Sequence, residues 1–249
     1  MNLMSLLQLE FIESKLKMPI NLADLYTRSY FKNRNFTDVQ RLISFNQELS
    51  FIQRYSDISE NVLDIGCSTG EFLQEIKWKG KRFGMEISEH AASLASAKGI
   101  QVVDNFDALP SLDNIIYRGT IQHLDSPFVS LQNAYDALRD GGMLYIIATP
   151  NTRSILFKIF DELPALDASR NFYLPSDTSL VNVCRIFGFE LVALEYPYRY
   201  SPYASFVLDH AKFMKNVVYK VIGRETNINF PFWKNMMNIA FKKKVSVND

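Results

Sequence analysis

Between residues 61 and 148, short apolar runs alternate with longer stretches in which apolar residues recur every three or four positions. The short runs fit buried strands and the longer stretches fit amphipathic helices. "NVLDI" (61–65) leads into the helical "GEFLQEIKWKG", and "RFGMEI" (82–87) leads into "SEHAASLASAKG". Ser88 opens that second helix and Gly99 closes it, as capping preferences require. "IQVV" (100–103) and "NIIYR" (114–118) read as further strands. After them comes a helix, "PFVSLQNAYDALRDGG", with Pro127 in its first turn and Gly141 as its stop. The continuously apolar "MLYIIATP" (143–150) is a strand buried on both faces. Further on, "SLVNVCRIFGFELVALEY" (179–196) predicts a helix, a stop at Gly188 and a strand, and "MMNIAFKKK" (236–244) the last strand. Strands spaced by helices of this length predict βαβ units with right-handed crossovers, hence a doubly wound α/β fold on a mostly parallel sheet.

Two regions break the rhythm. Residues 1–50 read as a helical cover: "MNLMSLLQLEFIESKLKM" has apolar residues at helical spacing, and "DLYTRSYFKNRNF" (24–36) is dense in aromatics and arginine. Residues 197–235, opening "PYRYSPYASFVLDH", read as a long, irregular, aromatic insertion. The pattern therefore predicts an N-terminal cover over 1–50 and a main domain over 51–249, with 197–235 as a lid-like insertion. Both additions are expected over the carboxyl edge of the sheet, where ligands bind in open α/β folds.

Charge narrows the partners. Lys plus Arg and Asp plus Glu each total 27 in 249 residues, and a neutral balance argues against a nucleic-acid surface. The basic "FKKKV" (241–245) reads as a solvated end. Cys67 and Cys184 stand far apart and predict neither a disulfide nor a metal site, which suits a cytoplasmic chain. The apolar runs fall short of the ~20 residues a bilayer span needs, so no transmembrane segment is expected and any membrane contact is peripheral. The first residues lack the basic start and small-residue cleavage site of a signal peptide.

The chemistry centres on "GCSTG" (66–70), which follows the first strand of the βαβ rhythm and opens its first helix. A turn there offers backbone N–H groups and the positive end of a helix to a nucleotide-like ligand. A phosphate-binding loop would end in Gly-Lys-Ser/Thr, whereas this one ends Thr69-Gly70-Glu71. A dinucleotide fingerprint needs glycines at its first, third and sixth positions, which here hold Gly66, Ser68 and Glu71. A ligand with an adenosine, no phosphate and a cationic reactive centre remains, and S-adenosylmethionine is such a ligand.

"VLDIGCSTGEFL" resembles the first motif of the class I S-adenosylmethionine-dependent methyltransferases, with Asp64, Gly66 and Gly70 in their places and Ser68 where glycine is commoner. Glu86, twenty residues after Gly66, matches the acid that grips the ribose hydroxyls in that family. "DNFDALP" (104–110) resembles the next element, with Asn105 and Phe106 at the adenine edge and Asn105 where Asp is more usual. "NIIYRGTIQHLDSPF" and "ALRDGGMLYIIATPN" resemble the later segments, with Gln122-His123 in place of a common Glu-His. The resemblance covers roughly 61–195 and implies a seven-stranded Rossmann-like sheet with S-adenosylmethionine as cofactor. The cofactor site it implies comprises Asp64, Gly66, Cys67, Ser68 and Gly70 from the turn and Glu86 and Ile87 from the next strand. Asn105, Phe106, Arg118 and Gly119 complete it.

Methyl transfer to a hydroxyl profits from a base, and His123, after the strand ending at Arg118, is the expected one because an unperturbed imidazole is mostly neutral at pH 7. Asp125 is a candidate either for orienting that ring or for capping the helix that begins near Pro127, and Tyr26, Arg28 and Tyr30 are candidates for closing over the methionine end or the acceptor. "TPNTRSILF" and "NFYLPSDTSLVNVCRIFGFE" resemble bacterial small-molecule methyltransferases of surface-polysaccharide and quinone biosynthesis. Asn171-Phe172-Tyr173 replaces a histidine-led segment of that group. The expected acceptor is a sugar or glycan precursor. A quinone-like lipophilic acceptor and a non-catalytic S-adenosylmethionine-binding module are the alternatives, the latter disfavoured by Gly66, Gly70 and Glu86 together.

Overall fold

The computed structural model describes residues 12–13, 26, 39–164 and 170–245. Nine strands lie in it: β1 (Ile12–Glu13), β2 (Val62–Ile65), β3 (Arg82–Met85), β4 (Gln101–Val102), β5 (Leu112–Arg118), β6 (Leu138–Pro150), β7 (Tyr173–Leu174), β8 (Phe189–Glu195) and β9 (Met236–Lys243). The helices are α1 (Val39–Ile52), α2 (Glu71–Glu75), α3 (Glu89–Ala97), α4 (Pro127–Ala137), α5 (Ile155–Phe160), α6 (Asp177–Ile186) and α7 (Phe206–Val221). Seven strands form one sheet in the order β4-β3-β2-β5-β6-β9-β8. All its pairs are parallel except those of β9, which runs antiparallel between β6 and β8.

This is the doubly wound α/β sheet expected from the alternation. The period of two along each strand sends neighbours to opposite faces. Ile115 and Tyr117 of β5, Leu144 and Ile146 of β6, and Ile239 and Phe241 of β9 pack with Leu131 of α4 and Leu180 and Cys184 of α6. Ile116, Tyr145 and Ala240, one position along, pack on the other face with Phe45 and Ile52 of α1, Phe72 of α2 and Ala95 of α3. The chain runs outward from β2 to β4 and returns to β5 on the other side of β2. The strand order reverses there, and the crevice beyond the carboxyl ends of β2 and β5 is where such sheets take ligands.

Several elements differ from the pattern. Ile12–Glu13 is a strand paired antiparallel with Tyr173–Leu174, where helical spacing predicts a helix, because β7 offers it a partner edge. The rest of that segment lies outside the described residues. The boundary at residue 50 falls inside α1, whose Phe45, Phe51 and Ile52 belong to the cluster on the sheet. Helix α4 ends at Ala137, four residues before Gly141, because Leu138 already pairs with Leu112 of β5. The insertion 197–235 is not irregular: it holds the sixteen-residue helix α7, which packs through Phe213 and Val217 on Leu156 and Phe160 of α5.

Candidate functional site

Strand β2 carries Asp64 into the sheet's carboxyl edge, and the turn after it bends through left-handed backbone at Gly66, Ser68 and Gly70 (φ 75°, 55° and 78°). A Cβ on Gly66 would stand 2.5 Å from the Thr120 side chain, so the backbone approaches the segment after β5 closely only with glycine there. Ser68 adopts the same left-handed region with a side chain, which accounts for the glycine commoner at that place. Behind the turn, the Lys98 ammonium donates to the Thr69 carbonyl (2.7 Å) and to Glu71 (3.1 Å). Glu86, just past β3, accepts from the backbone N–H groups of Ser68 and Ser88, each at 2.9 Å, so its carboxylate is fixed against the turn.

A cavity of about 800 Å³ opens at this edge. Asp64, Gly66, Cys67 and Ser68 line it with Glu86 and Ile87, and so do Asn105, Phe106, Arg118, Gly119 and His123. Gly70 does not line it. Its Cβ would meet Ile100 Cδ1 at 2.5 Å and Ala95 of α3 at 3.2 Å, so this glycine lets the turn pack closely against α3 and Ile100. Cys67 and Cys184 are buried free thiols, and burial pushes both thiol pKa values up, away from a nucleophilic thiolate. No group of side chains suited to hold a metal ion occurs among the described residues.

The electrostatics single out Asp64. It is 2% exposed, and burial raises its carboxyl pKa to about 7, against the opposing pull of Arg118. Its Oδ1 is buried without a hydrogen-bond partner, an acceptor that suits an ammonium donor. Together with the fixed carboxylate of Glu86, which presents acceptors to a vicinal diol, and the glycine cradle at Gly66, these residues fit the amino acid and ribose ends of S-adenosylmethionine.

Arg118 has a partner in the protein. Its Nε donates to Glu48 at 2.6 Å, and its guanidinium lies 4.4 Å from the centre of the Phe45 ring and 5.3 Å from that of Phe72. Arg41, Phe45, Glu48 and Ile52 fall at i, i+4, i+7 and i+11 along α1, so one face of that helix is turned to the site, and Arg41 and Phe45 line the cavity. That periodicity was the available signal for a wall that motif reasoning missed. Asn105 lines the cavity and caps the turn beginning at Phe106, its Oδ1 accepting from Asp107 N–H at 3.0 Å.

His123 sits in the short helix Ile121–His123 after β5. Its Nδ1 lies 2.9 Å from the Arg170 carbonyl, which only accepts, so Nδ1 carries the proton and Nε2 the lone pair. Gln122 Nε2 reaches that lone pair at 3.2 Å. The group hydrogen-bonded to Nδ1 is this carbonyl, in the place expected of Asp125, and the Asp125 backbone carbonyl accepts from the Tyr173 hydroxyl. Tyr26 lines the cavity and meets His123 edge-on at 6.4 Å between ring centres, while Arg28 and Tyr30 lie outside the described residues. None of residues 197–235 lines the cavity, so the insertion does not roof it.

The profile of a family described as "Methyltransferase domain" matches residues 30–194. No curated protein matches the chain. Among solved structures, a SAM-dependent methyltransferase from Thermotoga maritima, described as a possible histamine N-methyltransferase, is 19% identical, with a TM-score of 0.62 over 90% of this chain and 100% of the other. A SAM-dependent methyltransferase from Archaeoglobus fulgidus is also 19% identical, with a TM-score of 0.61 over 87% and 100%. Magnesium protoporphyrin IX methyltransferase from Synechocystis, solved with bound SAH, is 12% identical, with a TM-score of 0.60 over 90% and 98%. At these identities the likeness is one of fold.

Proposed function

The chain belongs to the methyltransferase-domain family and is an S-adenosylmethionine-dependent methyltransferase, and we propose that it methylates a hydroxyl of a small polar acceptor, a sugar or glycan precursor. The observation that carries this reading is His123, fixed by the Arg170 carbonyl with its basic nitrogen at Nε2, in the same cavity as Asp64 and Glu86. Beyond the cofactor residues the lining includes Asp125, Ser126, Ser130 and Asn133, which can hydrogen-bond a hydroxyl-bearing acceptor, beside the apolar Leu124 and Val129.

The bound cofactor supplies an activated methyl group on a sulfonium, so the protein's task is placement and proton transfer. Asp64 takes the cationic amino group of the cofactor and Glu86 its ribose hydroxyls. The acceptor hydroxyl replaces the Gln122 amide at His123 Nε2, which removes the proton as the new bond forms. The hydrogen bond to Arg170 holds the ring in that tautomer and supports the charge that develops on it.

Incubating the protein with S-adenosylmethionine and panels of nucleotide-activated sugars, glycans and quinols identifies the acceptor class. On the acceptor found, His123→Ala is expected to lower kcat by about 10²-fold with cofactor affinity nearly intact. Near-normal turnover, or loss confined to cofactor binding, would overturn the assignment of His123.

A further inference from the structure

Helix α7 has two apolar faces, and only one is used. Phe213 and Val217 pack in the cluster with Leu156, Phe160, Phe230 and Phe232. Asp209 accepts from Ser205 N–H (2.8 Å) and the Tyr198 hydroxyl (3.1 Å), and Asn216 accepts from Asn227 N–H (2.7 Å), so the helix is held in one rotation. In that rotation Val207, Ala211, Met214, Val218 and Val221 follow one another at alternating four- and three-residue steps down the outward side. Val207 is 76% exposed, Met214 59%, Val218 52% and Val221 81%. Isolated exposed apolar residues are ordinary, but a continuous stripe along a whole helix marks an interaction face.

Its surroundings point to the occupant. Exposed Tyr200, Tyr203 and Phe206, with Trp233, cluster at the helix's amino end, where Phe206 and Trp233 meet edge-on. The stripe is flanked by the exposed Lys212 and Lys215. Residues 197–235 contain six basic side chains and two acidic ones, in a chain whose totals are equal. One of the two acids, Asp209, is 2% exposed and hydrogen-bonded. A second copy on this face would bring lysines against lysines; an anionic lipid surface meets the stripe with acyl chains and the lysines with phosphates.

We propose that α7 is an interfacial helix that docks the protein on an anionic bilayer, with the stripe from Val207 to Val221 buried among the lipids and Lys212 and Lys215 at the headgroups. The docking is peripheral, since no described helix is long and apolar enough to cross a membrane. Helix α5, on which α7 packs, follows directly from the carboxyl end of β6. Helix α7 is therefore joined through α5 to the carboxyl side of the sheet.

Flotation of the full chain with phosphatidylglycerol-containing and pure phosphatidylcholine vesicles tests this, independently of any acceptor. The expected result is binding to the anionic vesicles that weakens as salt is raised. Met214→Asp/Val218→Asp should lower it at least tenfold, and Lys212→Ala/Lys215→Ala should lower it and flatten its salt dependence. Unchanged thermal midpoints show that these exposed changes leave the fold intact. The proposal is overturned if the full chain ignores anionic vesicles or if the Asp pair binds as well as the parent. Concentration-dependent self-association abolished by the Asp pair, without vesicle binding, would likewise overturn it in favour of a second copy.

Discussion

Asp64 combines full burial, an unpartnered Oδ1 and a carboxyl pKa raised to about 7 by its burial. A carboxyl whose folded pKa lies above its ordinary value of about 4 contributes stability below that value and loses the contribution as pH rises through about 7. A bound ammonium reverses the preference, because it stabilises the carboxylate. Cofactor affinity should therefore rise as pH is raised from about 5 towards about 7, with proton release on binding, and fall again where the cofactor's own α-ammonium deprotonates at about pH 8. Calorimetry in buffers of different ionisation enthalpy measures both. Asp64→Asn should flatten the profile, weaken binding and raise the thermal midpoint of the free protein at alkaline pH. A pH-independent affinity in the unaltered protein would separate Asp64 from the cofactor.

At the scale of elements, α1 is fastened to the site by one ion pair in an aromatic setting. The Glu48 side chain is 7% exposed and that of Arg118 22%, with Phe45 and Phe72 against the guanidinium. Removing one partner leaves the other desolvated, which costs more than the pair contributes. Arg118→Met should destabilise the fold by about 3 kcal/mol, and adding Glu48→Gln should recover much of that loss. Urea unfolding of the two single variants and the double variant measures the coupling; simple additivity would mean that the pair does not hold α1. The turn before α2 works differently. Gly66 is required by the approach of Thr120 and Gly70 by that of Ile100, so two glycines of one motif answer to different neighbours.

In the whole molecule, strands β5, β6 and β9 contribute alternate residues to the clusters on both faces of the sheet, so the loss of either helical layer would expose one apolar face of the same strands. Cofactor binding at the edge of such a sheet should raise the stability of the entire unit. At a hundredfold excess over its dissociation constant, S-adenosylmethionine should add about 2.7 kcal/mol and shift a single melting transition upward. A scan in which NAD produces the shift and S-adenosylmethionine does not would contradict the cofactor.

The alternation of apolar runs with helical stretches determined the order of strands and helices from 61 to 150, because periods of two and 3.6 are local properties of a chain facing one core. The turn at 66–70, Glu86 and His123 were legible for a related reason: the end of each strand delivers its next few residues to the same edge of the sheet. Other features depend on surfaces that meet across long stretches of chain. Glu48 and Arg118 are seventy positions apart, and the carbonyl that orients His123 belongs to Arg170, forty-seven positions away. The antiparallel place of β9 between β6 and β8 is equally remote from any local pattern. Helix α7 was hidden because it carries apolar residues on two faces, which blurs the period that marks a helix. Packing against α5 decided which face is covered, and tertiary contact alone left the other facing outward.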